Sequence, residues 1–244
     1  MYSLLIELAG PMQAWGSRSR FSTRATERAP TRSGVIGLVA AALGVQRTES
    51  LARFDGLRYG VRVDQPGQVE RDFQTARSLD GQTSMPLSDR YYLADAVFVA
   101  ALEAETREDL VEIQEALRMP RFPLYLGRRA FPPAGPLSTE IVQKPLRKAL
   151  AEHPWRASTR YQKDADKPPR VDVLVDATPG EQAHLSLQDI PRSFDSRRRL
   201  YDWRDVTVLS IELPGVESAD SDRGHPAIEL PEHDALALVS EEEV

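Results

Sequence analysis

The order of patterned segments predicts an α+β fold: a ferredoxin-like (RRM-like) βαββαβ domain over residues 1–134 with an inserted β-hairpin, then a small β-rich C-terminal lobe over 135–213. Three observations carry this expectation. A strand pattern at the start is followed by a capped helix, two further strand patterns enclose a polar insertion, and a second helix leads into another extended segment. The 244 residues suffice for one principal domain with a smaller appendage.

YSLLIEL (2–8) puts Leu4, Ile6 and Leu8 on one face and Leu5 on the other, as in a largely buried strand. Gly10, Pro11, Gly16 and scattered Ser, Thr and Arg then predict a long loop over 9–30, and long loops in compact domains are usually functional or disordered. TRSGVIGLVAAALG (31–44) predicts a helix. Thr31 or Ser33 supplies the N-cap, Val35, Leu38, Val39 and Leu43 the apolar stripe, and Gly44 the stop. Gly34 and Gly37 inside it should cost about 1 kcal/mol each relative to Ala, which suggests that something approaches the first turn closely.

LRYGVRV (57–63) alternates as a second strand, and a third apolar strand is expected near 96–102. The polar stretch 66–92 between them, with Gly67, Gly81 and Pro86, predicts a projecting hairpin or a mobile insertion. Thr106 and Asp109 form a capping-box-like start to a second helix carrying Leu110, Ile113 and Leu117, which ends before Pro120. In PRFPLYLGRR (120–129) an edge strand would pack Phe122, Leu124 and Leu126 inward. Beyond residue 134, VDVLVDA (171–177) and VTVLSIEL (206–213) are clear strands, and 214–244 is expected to be a flexible acidic tail.

Taken alone, the net charge of -6 argues against a polyanionic partner. Nine carboxylates against Arg223 lie in 214–244, however, so the rest of the chain is net +2. Within that body arginine is clumped: Arg18, Arg20, Arg24, Arg28 and Arg32; Arg118, Arg121, Arg128 and Arg129; and Arg192, Arg197, Arg198, Arg199 and Arg204. Arginine rather than lysine suits bidentate phosphate contacts and stacking. Cysteine is absent, which excludes disulfides and thiolate chemistry and fits the cytosol. The N-terminal apolar run is short and has no basic region ahead of it, so neither a signal peptide nor a membrane span is expected there.

His153, His184, His225 and His233 show no metal-ligand spacing, and no phosphate-binding loop, nucleophile elbow or dinucleotide fingerprint is present. No metal, cofactor or catalytic residue is therefore expected. Metal-independent RNA cleavage would need a general acid and base, for which Tyr125, Tyr161 and Lys163 are available, but nothing in the sequence groups them.

The start of the first helix, with Arg32, Ser33 and Gly34, offers a phosphate seat at the positive end of the dipole, although an ordinary capped core helix explains it equally well. In AGPMQAWG, Gln13 is suited to read a base edge and Trp15 to stack on one; a tryptophan is more often core than platform, but the neighbours Gly10, Pro11 and Gly16 favour an exposed loop. Gly127 precedes Arg128 and Arg129 with no acid nearby in sequence. In PRSFDSRRRLYDW, Phe194 and the arginines could clamp nucleotides, or Asp195 and Asp202 could pair with them locally.

AGPMQAWG, PTRSGVIGL, RDFQTARSLDG leading into RYYLADAVFVAAL, YLGRRAFPP, and PRSF followed by SRRRLYDW resemble, in order and spacing, the CasD family, the crRNA 5′-handle-binding subunits of type I-E CRISPR Cascade complexes. The resemblance spans about residues 1–210. It implies a repeat-associated (RAMP) protein with a hairpin "thumb" at about 71–92. Such a protein binds the 5′ handle of crRNA without cleaving it and caps the backbone filament. Its neighbours would be the filament's terminal subunit and the large subunit, and it would meet target DNA only indirectly. The RNA contacts implied are Gln13, Trp15, Arg24, Arg32, Ser33, Gly34, Arg128, Arg129, Arg192, Phe194 and Arg197, with Arg77 the first choice on the thumb. A related CasD-like branch processes guide RNA, so a metal-independent endoribonuclease is the alternative. A third possibility is an adaptor with its arginines buried against protein partners. The acidic tail departs from the family pattern.

Overall fold

Alternation at the start of the chain builds the centre of the structure. In a computed structural model describing residues 1–16, 23–164 and 170–213, the first strand, β1, is Tyr2–Gln13. Leu4, Ile6 and Leu8 join the larger apolar cluster and Leu5 the smaller one on the opposite face. Each buried Leu or Ile contributes roughly 1.5–3 kcal/mol, so register is firmly set. The strand runs five residues beyond the expected end, so the predicted loop starts later: Ala96 to Leu93 of the next strand pair with Gly10 to Gln13.

β2 (Thr23–Arg24) is followed by α1 (Arg32–Leu43), β3 (Arg58–Gln65), β4 (Gln68–Gln74), β5 (Ser88–Ala104), α2 (Glu108–Arg118) and β6 (Thr139–Val142). Then come α3 (Leu146–Glu152), α4 (Thr159–Asp164), β7 (Arg170–Asp176), β8 (Leu185–Ser193) and β9 (Leu200–Glu212). This is a mixed α/β structure. One sheet runs β6-β1-β5-β3-β7-β9-β8 with every neighbouring pair antiparallel, and β5 is also joined by β4 in antiparallel and by the two-residue β2 in parallel. Because β7 pairs with β3, the later strands continue the same sheet.

α1 begins at Thr31, whose hydroxyl accepts from the Gly34 N–H, and ends at Gly44 with φ 79°. Val35, Ile36, Leu38, Val39, Ala40 and Ala42 are all buried, as befits a helix enclosed on most sides. α2 buries Leu110, Ile113 and Leu117 as expected, and Thr106 Oγ1 accepts from the Asp109 N–H. On the other face α3 packs Leu146, Ala149 and Leu150 against Leu5, Val99 and Val173. The fully buried Arg62 of β3 pairs with Asp64 and donates to the carbonyls of Leu150, His153 and Pro154, satisfying the end of α3.

β5 is far longer than the expected 96–102. Its inner half is core. Its outer half pairs with β4 from Gln68↔Ala94 to Gln74↔Ser88 as a hairpin whose β4 residues are all exposed. PRFPLYLGRR contains no strand: Leu126 is buried and Leu124 half-buried, but Phe122 is 38% exposed, contrary to its expected inward packing. Sequence patterning missed β6, α3, α4 and β8, which are short or weakly alternating. The expected flexible tail at 214–244, and Arg18 and Arg20, lie outside the described residues.

Candidate nucleic-acid interface

Three segments distant in sequence meet at one end of α1. The end of β1 is tied to the chain after α2, because the Ala14 N–H donates to the Leu126 carbonyl at 3.0 Å. The next residue, Gly127, has φ 88°, and a Cβ there would stand 1.7 Å from the Ala14 carbonyl oxygen. Only glycine permits this crossing, and it delivers Arg128 to the mouth of a cavity of about 420 Å³. Trp15, Arg24, Ser33, Gly34, Arg128 and Phe194 all line that cavity, so half of the twelve residues expected from sequence share one site.

Arg128 is the centre of the charge. Its Nη2 donates to the carbonyls of Arg24 (3.0 Å) and Tyr91 (2.9 Å), and its guanidinium lies 5.6 Å from the Phe131 ring centroid. β2 lies beside the outer half of β5, with Arg24 directly opposite Arg90. Burial, then the charges of Arg90 and Arg24, hold the Arg128 guanidinium below its ordinary value, although arginine remains charged at any physiological pH. Among the described residues no ion pair reaches Arg24, Arg90 or Arg128, and the buried Nε of Arg90 has no hydrogen-bond partner. Clustered cations of this kind are stable when an anion joins them.

Other expected contacts have different roles. Gln13 is fully buried: its Nε2 donates to Leu8 (3.1 Å) and Ala96 (2.8 Å), and its Oε1 accepts from Trp15 Nε1 (3.1 Å). Trp15 is 1% exposed. Trp15 lines the cavity from the core and Gln13 holds its indole from behind, which corrects the exposed-loop expectation. Gly34 makes room for the Trp15 indole, since a Cβ there would meet its ring at 2.7 Å. Close approach to the first turn is therefore made by the protein's own tryptophan.

The phosphate seat at the start of α1 is also taken internally. The backbone N–H of Arg32 donates to Asp189 Oδ2 at 2.8 Å, and that of Gly34 to Thr31 Oγ1 at 3.2 Å. Arg32 is 7% exposed, pairs with Asp176 at 3.1 Å and donates to the Leu57 carbonyl. Arg204 bridges Asp189 and Asp176 at 2.6 and 2.8 Å and lies 5.1 Å from the Tyr59 ring centroid. Arg32 thus belongs to a buried charge network joining α1 to β7, β8 and β9. Ser33 borders the cavity.

Arg192 is engaged by Asp55 (2.9 Å) and Asp202. Arg197 is exposed on a turn fixed by its N–H to Asp195. Arg129 is exposed beside the cavity, and Arg77 sits near the tip of the hairpin, opposite Ser84. Phe194 packs against the first turns of α1, 3.6 Å from where a Gly37 Cβ would stand. Arg199, which the sequence placed in the late arginine clump without naming it as a contact, lines the cavity, and sequence reading missed Arg90, Gln188 and Tyr201, of which the last two line it. Following the alternation of β5 back to residue 88 would have raised Arg90, but β8 gave no signal for Gln188. Among the described residues no group of three or more His, Asp or Glu could hold a metal ion, and no helix is long and apolar enough to cross a membrane.

A family model described as "CRISPR-associated protein (Cas_Cas5)" matches residues 3–207. The chain belongs to the Cas5 family. This Cas5 chain is 32% identical over 219 residues to the CRISPR system Cascade subunit CasD of Escherichia coli (strain K12), covering 80% of this chain and 92% of that protein. It is similar to a chain of a solved CRISPR RNA-guided surveillance complex, with a TM-score of 0.72 and 34% identity over 87% of this chain and 91% of the other. A solved Cas protein aligns with a TM-score of 0.69 and 36% identity, covering 87% and 98% of the two chains.

Proposed function

We propose that this Cas5 chain is a non-catalytic subunit of a CRISPR surveillance ribonucleoprotein, binding the 5′ handle of crRNA and capping the backbone filament. The observation that carries the reading is the set Arg24, Arg90 and Arg128, with no ion-pair partner among the described residues, beside a cavity walled by Phe194 and Gly127. Fixed guanidinium groups around an apolar wall suit an RNA strand with phosphates on the arginines and bases in the cavity. The Cascade CasD relative supports the same role.

The order β6-β1-β5-β3, with α1 and α2 on one face, supports a ferredoxin-like core. The β4–β5 hairpin is then the thumb, carrying Arg77, and 135–213 is an accessory unit extending the sheet edge. The terminal filament subunit and the large subunit are the expected protein neighbours, and the absence of cysteine supports a cytoplasmic setting. Arg129 and Arg197 are taken as peripheral contacts, and Arg192 as one that would first have to release its aspartates.

The endoribonuclease alternative is not favoured. Among the described residues lining the cavity there is neither histidine nor lysine, so Tyr201 would have to act without a second acid–base partner, and His153 is buried on the far face beside Glu7 and Arg156. The test is to titrate purified protein with single-stranded repeat RNA in chelator. Salt-dependent binding of intact RNA is expected. Specific cleavage abolished by one Tyr, His or Lys substitution would overturn the reading.

A further inference from the structure

Of the three tryptophans, Trp15 and Trp155 are 1% and 7% exposed, whereas Trp203 is 58% exposed and has no role in the site so far described. An indole in water is a large apolar surface with a polar edge, suited to a flat partner. Its place in the sheet says where that partner would lie. Trp203 stands directly opposite Gln188, and the Gln188 side chain donates to the Tyr201 carbonyl at 3.2 Å. Gln188 and Tyr201 both line the basic cavity. Tyr201, two residues earlier on β9, shares the face of Trp203 at roughly 7 Å along the strand.

The charges around the indole narrow the ligand. Asp202 and Arg204 alternate to the opposite face, where Arg192 and Asp189 engage them. The next residue on the indole's own face is the exposed Asp205. A carboxylate there disfavours a phosphate but accepts from the amino group of a base. Arg199, at the cavity, stands on the other side, next to the turn that precedes β9. The arrangement therefore favours a base over the indole, with its phosphate turned back toward the arginines.

We infer that Trp203, with Tyr201 beside it, is a stacking platform for one unpaired nucleobase of the strand whose backbone lies against Arg24, Arg90 and Arg128. This rests on the RNA-binding reading above and adds where the strand goes after it leaves the cavity.

The test titrates the full-length protein with a short single-stranded RNA and its set of single-abasic versions, following RNA anisotropy and indole emission. Stacking quenches the wild-type emission, and Trp203→Phe removes the part of that quench that comes from Trp203, leaving any from Trp15 at the cavity, while recovering most of the affinity lost in Trp203→Ala. Trp203→Ala weakens binding about ten-fold, within the range of one base–aromatic stack. One abasic position weakens wild-type binding by a similar factor and has no further effect on Trp203→Ala.

Wild-type affinity in Trp203→Ala, or quenching in Trp203→Phe as large as in wild type, overturns the platform. So does a Trp203→Ala protein that binds RNA normally but no longer assembles with its protein neighbours, which would make the indole a protein contact. If wild-type protein binds no RNA, the reading above falls and takes the platform with it. If binding persists with an Arg128-dependent salt slope and Trp203→Ala is silent, the platform alone falls.

Discussion

Replacing Arg128 with Ala removes a charge with two measurable functions. The side chain has five N–H donors, and Nη2 uses its pair on the carbonyls of Arg24 and Tyr91, which leaves Nε and Nη1 for a ligand. A charge-assisted hydrogen bond contributes about 1.5–3 kcal/mol, so losing one phosphate contact should weaken RNA binding by about 10- to 100-fold. For single strands the slope of log affinity against log salt is about −0.7 per neutralised phosphate. Three phosphates on Arg24, Arg90 and Arg128 give about −2, and Arg128→Ala should move this to about −1.4.

Arg128→Lys separates charge from geometry. It should keep the wild-type slope, because the charge remains, and still lose several-fold in affinity, because an ammonium cannot hold two carbonyls and a phosphate in one plane. Anisotropy titrations at several salt concentrations provide both quantities, with a thermal melt to confirm folding. An unchanged slope in Arg128→Ala would refute the assignment of Arg128 to phosphate.

The buried charge network makes the opposite prediction for Arg32: Arg32→Ala should lose about 3 kcal/mol or more in urea denaturation while the salt slope of the folded protein stays at its wild-type value. Asp189→Ala leaves the buried Arg204 with Asp176 alone and the first N–H of α1 without its acceptor, and should cost about 3 kcal/mol by the same measurement. Gly127→Ala forces a Cβ onto the Ala14 carbonyl at positive φ, and a loss of at least about 3 kcal/mol, or insoluble protein, is expected. Glu181 is held at about 2, below its ordinary 4.5, by the Arg147 side chain first and then by Thr178. Its folded value is depressed, so its contribution is complete above the unfolded carboxylate value and disappears as pH falls through about 2. Glu181→Gln should therefore narrow the stability difference between mildly acidic and strongly acidic solution, measured by thermal melts across that range.

Local patterns fixed what is local. Alternation in residues 2–8 placed Leu4, Ile6 and Leu8 against Leu5, Thr31 and Gly44 bounded α1, and Leu110, Ile113 and Leu117 marked the buried side of α2. The arginine clumps pointed to a polyanion, and the order of motifs pointed to the family. What sequence could not show was which arginines remain available. Arg32 and Arg128 look alike in the chain, each beside a glycine with no acid close by. Arg32 is neutralised because β7 and β8 bring Asp176 and Asp189 to it from about 150 residues away. Arg128 meets two carbonyls, the Phe131 ring and two further arginines, and the Asp72 carboxylate reaches it by its charge alone, with no ion pair between them among the described residues. An ion pair depends on separation in space, and separation along the chain says nothing about it once the sheet is formed. The residue types were thus set by the sequence, and tertiary packing decided which charges were spent inside and which were left to face a ligand.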